Sequence, residues 1–438
     1  MKKQIKVIML LMAASSIINV SCRKPDFSPS AKRYSADVAT AWMKLQMNLN
    51  KTTTGFSSFP GDRAFGYSGL ALYESVEPGI PNAQSVALQL SGFSSLALPN
   101  VKKPFYYWPA SANAAMAFMS RNLFANTTPA NFATIDSLEA AFNQQFQSKA
   151  TTQELQNSVD FGRSIASAIF EWSKSDGGDQ PYIHITDPAY VPPVGPGLWI
   201  PTPPLFTPPI FPHWGSNRSF IPNEANATQP SPPLAYSEEP KSPFYQMVNE
   251  LYVQSLSLTH EDSIIAKFWA DIPGNFNAAA HATGILTQLI ELNKLDLGEA
   301  AIAYAKHGIA LYDASISVFK TKYTYNLIRP ISYIRNVMGH TTWNTVVPTP
   351  SHPEYSPAHA VASAASATVM ADIFGDHYSF TDHTYDNIYG ARSFSSFDDY
   401  AKEAGHSRFL GGLHYAPSIE TGLMQGKKVG EMVNRLHF

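Results

Sequence analysis

Three short stretches carry the side chains best suited to chemistry. In the first, residues 322–330, Lys322 and Arg329 stand seven apart and Pro330 follows. The second, 350–360, reads Pro-Ser-His-Pro-Glu-Tyr-Ser-Pro-Ala-His-Ala and runs straight into an Ala-rich segment that ends near Phe374. The third, 406–414, holds His406, Ser407, Arg408, the pair Gly411-Gly412, and His414. Together they offer one lysine, two arginines, two histidines and a helix start, with no obvious carboxylate beside the cations in sequence. If they converge, they suit a tetrahedral oxyanion, because guanidinium forks bind two oxygens each and ammonium supplies a point charge. If they do not, they are three unrelated surface or ion-pair clusters.

Local rules say how each group is presented. Serine is a good N-cap and proline is best tolerated at the first helical position. Ser356 is therefore expected as N-cap, Pro357 at N1, Ala358 at N2 and His359 at N3, beside backbone N–H groups that attract anions. The bland alternative is a His359 that only caps or packs. Lys322 and Arg329 share a helix face if the helix persists that far, although Pro330 disfavours α geometry at Arg329 and turns it off the helix end. The glycine pair is expected to end a helix and leave His414 in a constrained loop. His281, His352 and His406 read as packed or capping histidines, and no strong zinc spacing is present.

The supporting elements read as helices. A helix capped by Ser35 is expected to about residue 50, with Val38, Trp42, Leu45 and Leu49 on one stripe. Further helices are expected over 65–75, 110–126, 129–148, 151–175, 242–255, 257–271 and 275–293. The run Asp296-Leu297-Gly298-Glu299 is a capping box opening a long helix towards Arg329. Between 181 and 240 the pairs Pro192-Pro193, Pro203-Pro204, Pro208-Pro209 and Pro232-Pro233 forbid regular structure. Yet Trp199, Phe206, Phe211 and Trp214 are too apolar for a solvated linker, so this stretch reads as an extended belt over a helical body, or else a mobile linker between domains. No alternating strand run stands out. The fold class is all-α: helical bundles, with the Pro-rich belt at 181–240 and the charged stretches within 242–438.

Charged residues make up 15% of the 438 and the net charge is −3, which argues against nucleic acid as a partner. A basic start (Lys2, Lys3, Lys6) and a short apolar run to Val20 read as an export signal rather than a membrane span. The single cysteine, Cys22, follows a small residue at the end of that run and resembles a bacterial lipobox, with Asn19 where leucine is usual. That gives a leader over 1–22, a tether over 23–34, one helical domain over 35–438, and a cell-envelope lipoprotein anchored by its acylated terminus. Ordinary cleavage with an incidental cysteine is the alternative.

Lys-x6-Arg-Pro, then a Pro/Ser/small/His turn, then Ser-Arg-x5-His resembles the three-part signature of the vanadium-dependent haloperoxidase and type 2 phosphatidic acid phosphatase superfamily. Stretches 67–75, 162–179, 196–204, 214–220 and 268–271 resemble its bacterial haloperoxidase branch. The resemblance implies two four-helix-bundle halves and one site for vanadate or phosphate. It implies that Lys322, Arg329 and Arg408 hold equatorial oxygens, helped by the Ala358 N–H. His414 becomes the axial ligand of vanadium, or the nucleophile toward phosphorus, and His359 the acid–base partner of the apical oxygen. Asp271 is a candidate to orient His359, a helix-end or surface Asp being the alternative. The implied reactants are peroxide and halide, or a phosphomonoester.

Two positions depart from the signature. Pro357 and Ala358 stand where the family has Ser and Gly, so a hydroxyl donor is lost, and Ser356 is expected to be spent on the cap. Ser418 stands where Asp often steadies the last histidine, with Glu420 as a possible substitute. Three functions remain open: an exported haloperoxidase, an acid phosphatase using His414 on the same site, and a ligand-binding lipoprotein with a degenerate site.

Overall fold

The capping box at Asp296 is present. Its side chain accepts the Glu299 amide at 2.9 Å, and the Glu299 carboxylate accepts the Asp296 amide at 3.0 Å. It opens a 29-residue helix about 43 Å long, with nearly every residue from Leu297 to Lys322 buried. A helix apolar all round belongs in the middle of a core, and this one lies at the centre of the molecule. The computed structural model describes residues 29–438 except 94–97, 102–104, 271 and 273–274. The proposed leader and Cys22 lie outside the described residues, and so does Asp271.

Fourteen α-helices are present among the described residues. The first five are α1 (Asp37–Thr52), α2 (Ser58–Val76), α3 (Trp108–Leu123), α4 (Pro129–Phe146) and α5 (Thr152–Ser173). Next come the short α6 (Glu224–Ala227), then α7 (Pro243–Ser255), α8 (His260–Phe268), α9 (Ala278–Asn293) and the central α10 (Leu297–Tyr325). The last four are α11 (Pro330–Asn336), α12 (Ala358–Phe374), α13 (Phe397–Leu410) and α14 (Ala416–Asn434). The class is all-α, with α2, α3 and α5 packed on one another and α2 lying along α10, and with α12, α13 and α14 packed on one another and α12 and α14 against α10. α10 thus belongs to both bundles. Among the described residues no helix is long and apolar enough to cross a membrane.

Small residues set how closely the bundles close. A Cβ on Gly426 of α14 would lie 2.1 Å from the Val361 carbonyl of α12, so only glycine fits there. The Ala-rich α12 offers Ala360, Ala364 and Ala365 to that face. Side-chain contact at this distance is close to backbone on backbone, and it brings the first turn of α12 beside the start of α14.

Several boundaries differ from the sequence expectation. α1 starts after Ala36 rather than Ser35, whose backbone bridges to Asp296. α2 begins seven residues earlier than expected, with Pro60 accommodated in its first turn as proline is there. α8 is capped by a Thr259–Asp262 box and is shorter than 257–271. A two-stranded hairpin, Phe380–Asp382 against Arg392–Phe394, went unread because three-residue strands carry almost no periodic signal.

The stretch 181–240 runs largely without regular structure, broken by short 3-10 turns and α6. Phe211, Trp214 and Phe220 are buried in the main core. The Trp199 amide donates to the Asn326 carbonyl and the Ile328 amide to Gly197 (2.6 and 2.9 Å), while the Ile210 amide donates to Ser351. The belt therefore grips two of the three charged stretches through backbone hydrogen bonds.

Candidate functional site

Lys322 lies in the last turn of α10 and is fully buried. Asn326, at φ 47°, ends the helix, so Lys322 and Arg329 do not share a helix face. The chain reverses direction instead, and Arg329 sits in extended geometry as the residue before Pro330 opens α11, the effect expected of a pre-proline position. The Lys322 ammonium donates to the carbonyls of Pro353 and Glu354 (2.8 and 3.0 Å). Arg329, also fully buried, donates through Nε to the His352 carbonyl at 2.9 Å and through Nη1 to the Leu413 carbonyl at 3.0 Å. It also contacts His414 Nε2 and His352 Nδ1, each at 3.0 Å.

α13 carries Arg408 in its last turn and gives way to Gly411-Gly412, with Gly412 at φ 77°. This places His414 in the tight loop before α14. Arginine can only donate, so His414 Nε2 is an acceptor and the ring proton sits on Nδ1. That Nδ1–H donates to Glu354 Oε1 at 3.0 Å. Glu354 also accepts the Tyr415 amide at 3.1 Å and the Ser418 hydroxyl at 3.0 Å.

Glu354 is the residue the sequence reading missed. It sits in the middle stretch, between Pro353 and Tyr355, and nothing in the spacing says that it turns inward beneath His414. It takes the part for which Glu420, which is exposed, was a possible substitute. Ser418 keeps a part by donating to that same carboxylate.

The middle stretch differs in detail from expectation. α12 starts at Ala358 with Pro357 as N-cap, so Ala358 is N1 and His359 N2. Ser356 is not the cap. Its hydroxyl donates to Gln425 of α14 at 2.5 Å.

Ala358, His359, Arg408, His414 and His352 line one cavity of about 250 Å³ whose remaining walls include Phe59, Ile210 and Val347. Lys322 and Arg329 lie beneath that wall. His352, read from sequence as a packed histidine, is buried and lines this cavity. His406 is exposed, and His281 lines a smaller neighbouring cavity that His359 also borders. Asp271 falls outside the described residues.

The electrostatics are those of clustered buried positive charge. Burial, and then the neighbouring Arg329 and Arg408, hold the Lys322 ammonium well below its usual pKa against the pull of Glu354. Burial and Arg408 push Arg329 down to about 10 despite Glu354. His414 is lowered well below the usual imidazole value by burial and by Arg329, Lys322 and Arg408. Burial raises Glu354 to about 7 although Lys322 and Arg329 oppose it. Lys322, Arg329 and Arg408 therefore cluster beside Glu354, and Asp62 lines the same cavity. Cations that depress one another in this way would be relieved by an added anion.

An all-α, two-bundle protein with a buried cationic pocket between helix ends is the class these features define. The comparisons narrow it. The family described as the VCPO second helical-bundle domain matches residues 303–437. A bacterial vanadium-dependent iodoperoxidase structure is 31% identical, with TM-score 0.79 over 91% of this chain and 96% of that one. Apo and holo structures of a bacterial vanadium-dependent chloroperoxidase share the fold at 15% identity. Their TM-scores are 0.66 and 0.65, covering 85% and 90% of this chain and 92% of each of theirs. No curated protein matches. The chain belongs to the vanadium-dependent haloperoxidase family, a family of enzymes with peroxidase-type activity.

Proposed function

We propose that the chain oxidises halide with peroxide at a vanadate held on His414 and surrounded by Lys322, Arg329 and Arg408. The observation that carries this is the clustering of Lys322, Arg329 and Arg408 around His414, whose Nε2 is an acceptor. The residues present fit the group: cations for its oxygens, the Ala358 N–H at a helix start, and a neutral imidazole as ligand. Bound vanadate supplies Lewis acidity toward peroxide without a change of oxidation state, so no haem or redox-active cysteine is required. The three cations hold anionic oxygens where water is scarce. Glu354 fixes the His414 tautomer through Nδ1 and leaves Nε2 as the ligating atom. His359, on the same cavity, would hold or move a proton beside the bound group. The half-apolar wall of Phe59, Ile210 and Val347 limits water around the reacting atoms. The hydroxyl lost at Pro357 weakens anion retention by about 1.5–3 kcal/mol and leaves the cations in place. The leader and Cys22 support export and lipid anchoring as part of the same proposal.

The test is halogenation of a dye by peroxide with iodide and then bromide, using protein freed of vanadate and then resupplied with orthovanadate. The expected outcome is halogenation that depends on vanadate and that phosphate suppresses by competition. Hydrolysis of a phosphomonoester without halogenation assigns the site to phosphoryl transfer, with His414 as nucleophile. Failure of both vanadate and phosphate to bind leaves a ligand-binding protein with a degenerate site.

A further inference from the structure

A second histidine stands behind His359. His281, on α9, is 4% exposed, and its Nε2 lies 2.7 Å from Asp382 Oδ2. Asp382 is fully buried at the end of the hairpin's first strand. Its other oxygen accepts from Gln288 at 3.2 Å, from the Thr384 amide at 2.9 Å and from the Thr384 hydroxyl at 2.6 Å. Burial works to raise the Asp382 carboxyl, but His281 and the Thr384 donors hold it below the usual carboxylate range, so it is an acceptor. A proton on His281 Nε2 therefore meets Asp382, and in the neutral ring the lone pair is on Nδ1. Among the described residues no partner bonds that Nδ1.

The ring is fixed on its faces as well as at its edge. It stacks on Trp269 at 4.8 Å and 20°, and meets Tyr385 edge-on at 4.9 Å. Trp269 is itself held by Glu403 through its indole N–H at 3.0 Å, and Glu403 is paired with Arg392. His281 and His359 line a common cavity of about 20 Å³, closed by Trp269, Ala282, Ser363 and Tyr400. That volume suits one water, which needs about 10–15 Å³ and two or more polar partners. The groups that face His281 are then Asp382, Tyr385, Tyr400 and His359, with Glu403 and Arg392 behind Trp269.

We propose that the His281–Asp382 pair is a proton relay for His359, acting through one water in the cavity the two histidines share. A proton leaves the His359 ring for the water. The water passes one of its own protons to His281 Nδ1, and the resulting imidazolium is neutralised by the Asp382 carboxylate. The return path reloads His359. His281 touches neither vanadate nor peroxide and is a positioning residue. The inference rests on the role given to His359 above. The sequence pointed only to Asp271 as a partner for His359, because Asp382 lies more than a hundred residues from His281 and in an unpredicted hairpin.

The experiment compares wild type with His281→Gln and Asp382→Asn in the full chain. The first readout is solvent exchange of the His359 ring N–H, followed by NMR in vanadate-free protein. The second is the pH profile and solvent isotope effect of the vanadate-loaded enzyme, alongside orthovanadate affinity. The expected result for His281→Gln is exchange and turnover slowed roughly 10–100-fold, a range usual for residues that support a reacting group. Its vanadate affinity and thermal midpoint should stay near wild type. Asp382→Asn should shift the pH profile in the same sense even if it also loosens the hairpin. Exchange rates and pH profiles that superimpose on wild type for His281→Gln overturn the relay. Failure of the haloperoxidase reading is seen separately, as a wild-type protein that binds no vanadate.

Discussion

Two buried arginines, Arg63 on α2 and Arg329 between α10 and α11, show what separates scaffold from site. Arg63, on α2, donates to Asp176 at 2.8 Å and to the Ser173 carbonyl at 2.8 Å, and Tyr312 donates to the same carboxylate at 2.8 Å. Burial would lower its pKa, but Asp176 more than restores it and carries it above the ordinary value. Arg329 is as deeply buried, and its pKa goes the other way, to about 10. Its neighbours are carbonyls, two histidines and two more cations, with Glu354 and, more weakly, Tyr415 and Tyr323 opposing. A buried cation matched by its own carboxylate is complete without a ligand. Buried cations that lower one another's pKa are relieved by an added anion.

The largest expected effect breaks that comparison from both sides. Asp176→Asn strands the Arg63 charge and should cost about 3–5 kcal/mol of stability, read from urea unfolding, with Asp179 at 3.7 Å as weak compensation. Arg329→Met relieves repulsion among cations while leaving carbonyls of His352 and Leu413 without that donor, so the two effects oppose each other in anion-free protein. Its signature is the response to anion. Wild type should gain about 2.7 kcal/mol in phosphate or vanadate at a hundred times Kd, and Arg329→Met should gain almost none at the same concentration. Equal gains in both proteins would mean that Arg329 belongs to the scaffold, as Arg63 does.

Two buried histidines sharpen the contrast. His307, on α10, bonds only the Ser366 hydroxyl at 2.8 Å, and burial alone lowers its pKa to about 3. For His414 the lowering also comes from three cations, which an anion would offset. His307 titrates near 6.5 when unfolded. Between pH 6.5 and 3 the unfolded chain binds a proton that the native state refuses. The stability His307 provides is therefore complete above pH 6.5 and is lost as pH falls. Between pH 7 and pH 4 the loss is about 3 kcal/mol. His307→Gln removes the titrating group, and its acid limb should be shallower by that amount in chemical denaturation at the two pH values. An unchanged limb would mean that His307 is not held neutral in the core.

Most of the helical scaffold was legible, because caps and periodicity act over a few residues. Asp296-x-x-Glu299 and the stripe that follows it announce α10 whatever surrounds them. The extended geometry at Arg329 and the loop at His414 were legible for the same reason: Pro330 and Gly411-Gly412 act on their neighbours. Glu354 was not legible. Its neighbours in sequence are Pro353 and Tyr355, whereas its partners are His414, Tyr415 and Ser418, some sixty residues on. The role of Ser356 was misjudged for a related reason. A capping serine and one that reaches across to Gln425 look alike until α14 is in place. The hairpin that holds Asp382 has strands too short to show a period at all.

The smallest expected effect concerns Ser418, where the family resemblance calls for aspartate. If an acid at this position were needed to steady His414, Ser418→Asp should strengthen vanadate binding. The geometry argues the reverse. Ser418 Oγ already lies 3.0 Å from Glu354 Oε2, so a carboxylate there would face a second carboxylate in a dry site, and one of the two would have to stay protonated. Ser418→Ala removes a single hydroxyl donor, while Glu354 keeps the Tyr415 amide and His414 Nδ1–H. Its cost should be about 1 kcal/mol, seen as a roughly fivefold loss of orthovanadate affinity by calorimetric titration. Ser418→Asp should bind more weakly than Ser418→Ala above pH 7 and recover as the pH falls and the pair takes up a proton. If Ser418→Asp instead binds more tightly than wild type across that range, then Glu354 is not the group that holds the His414 ring.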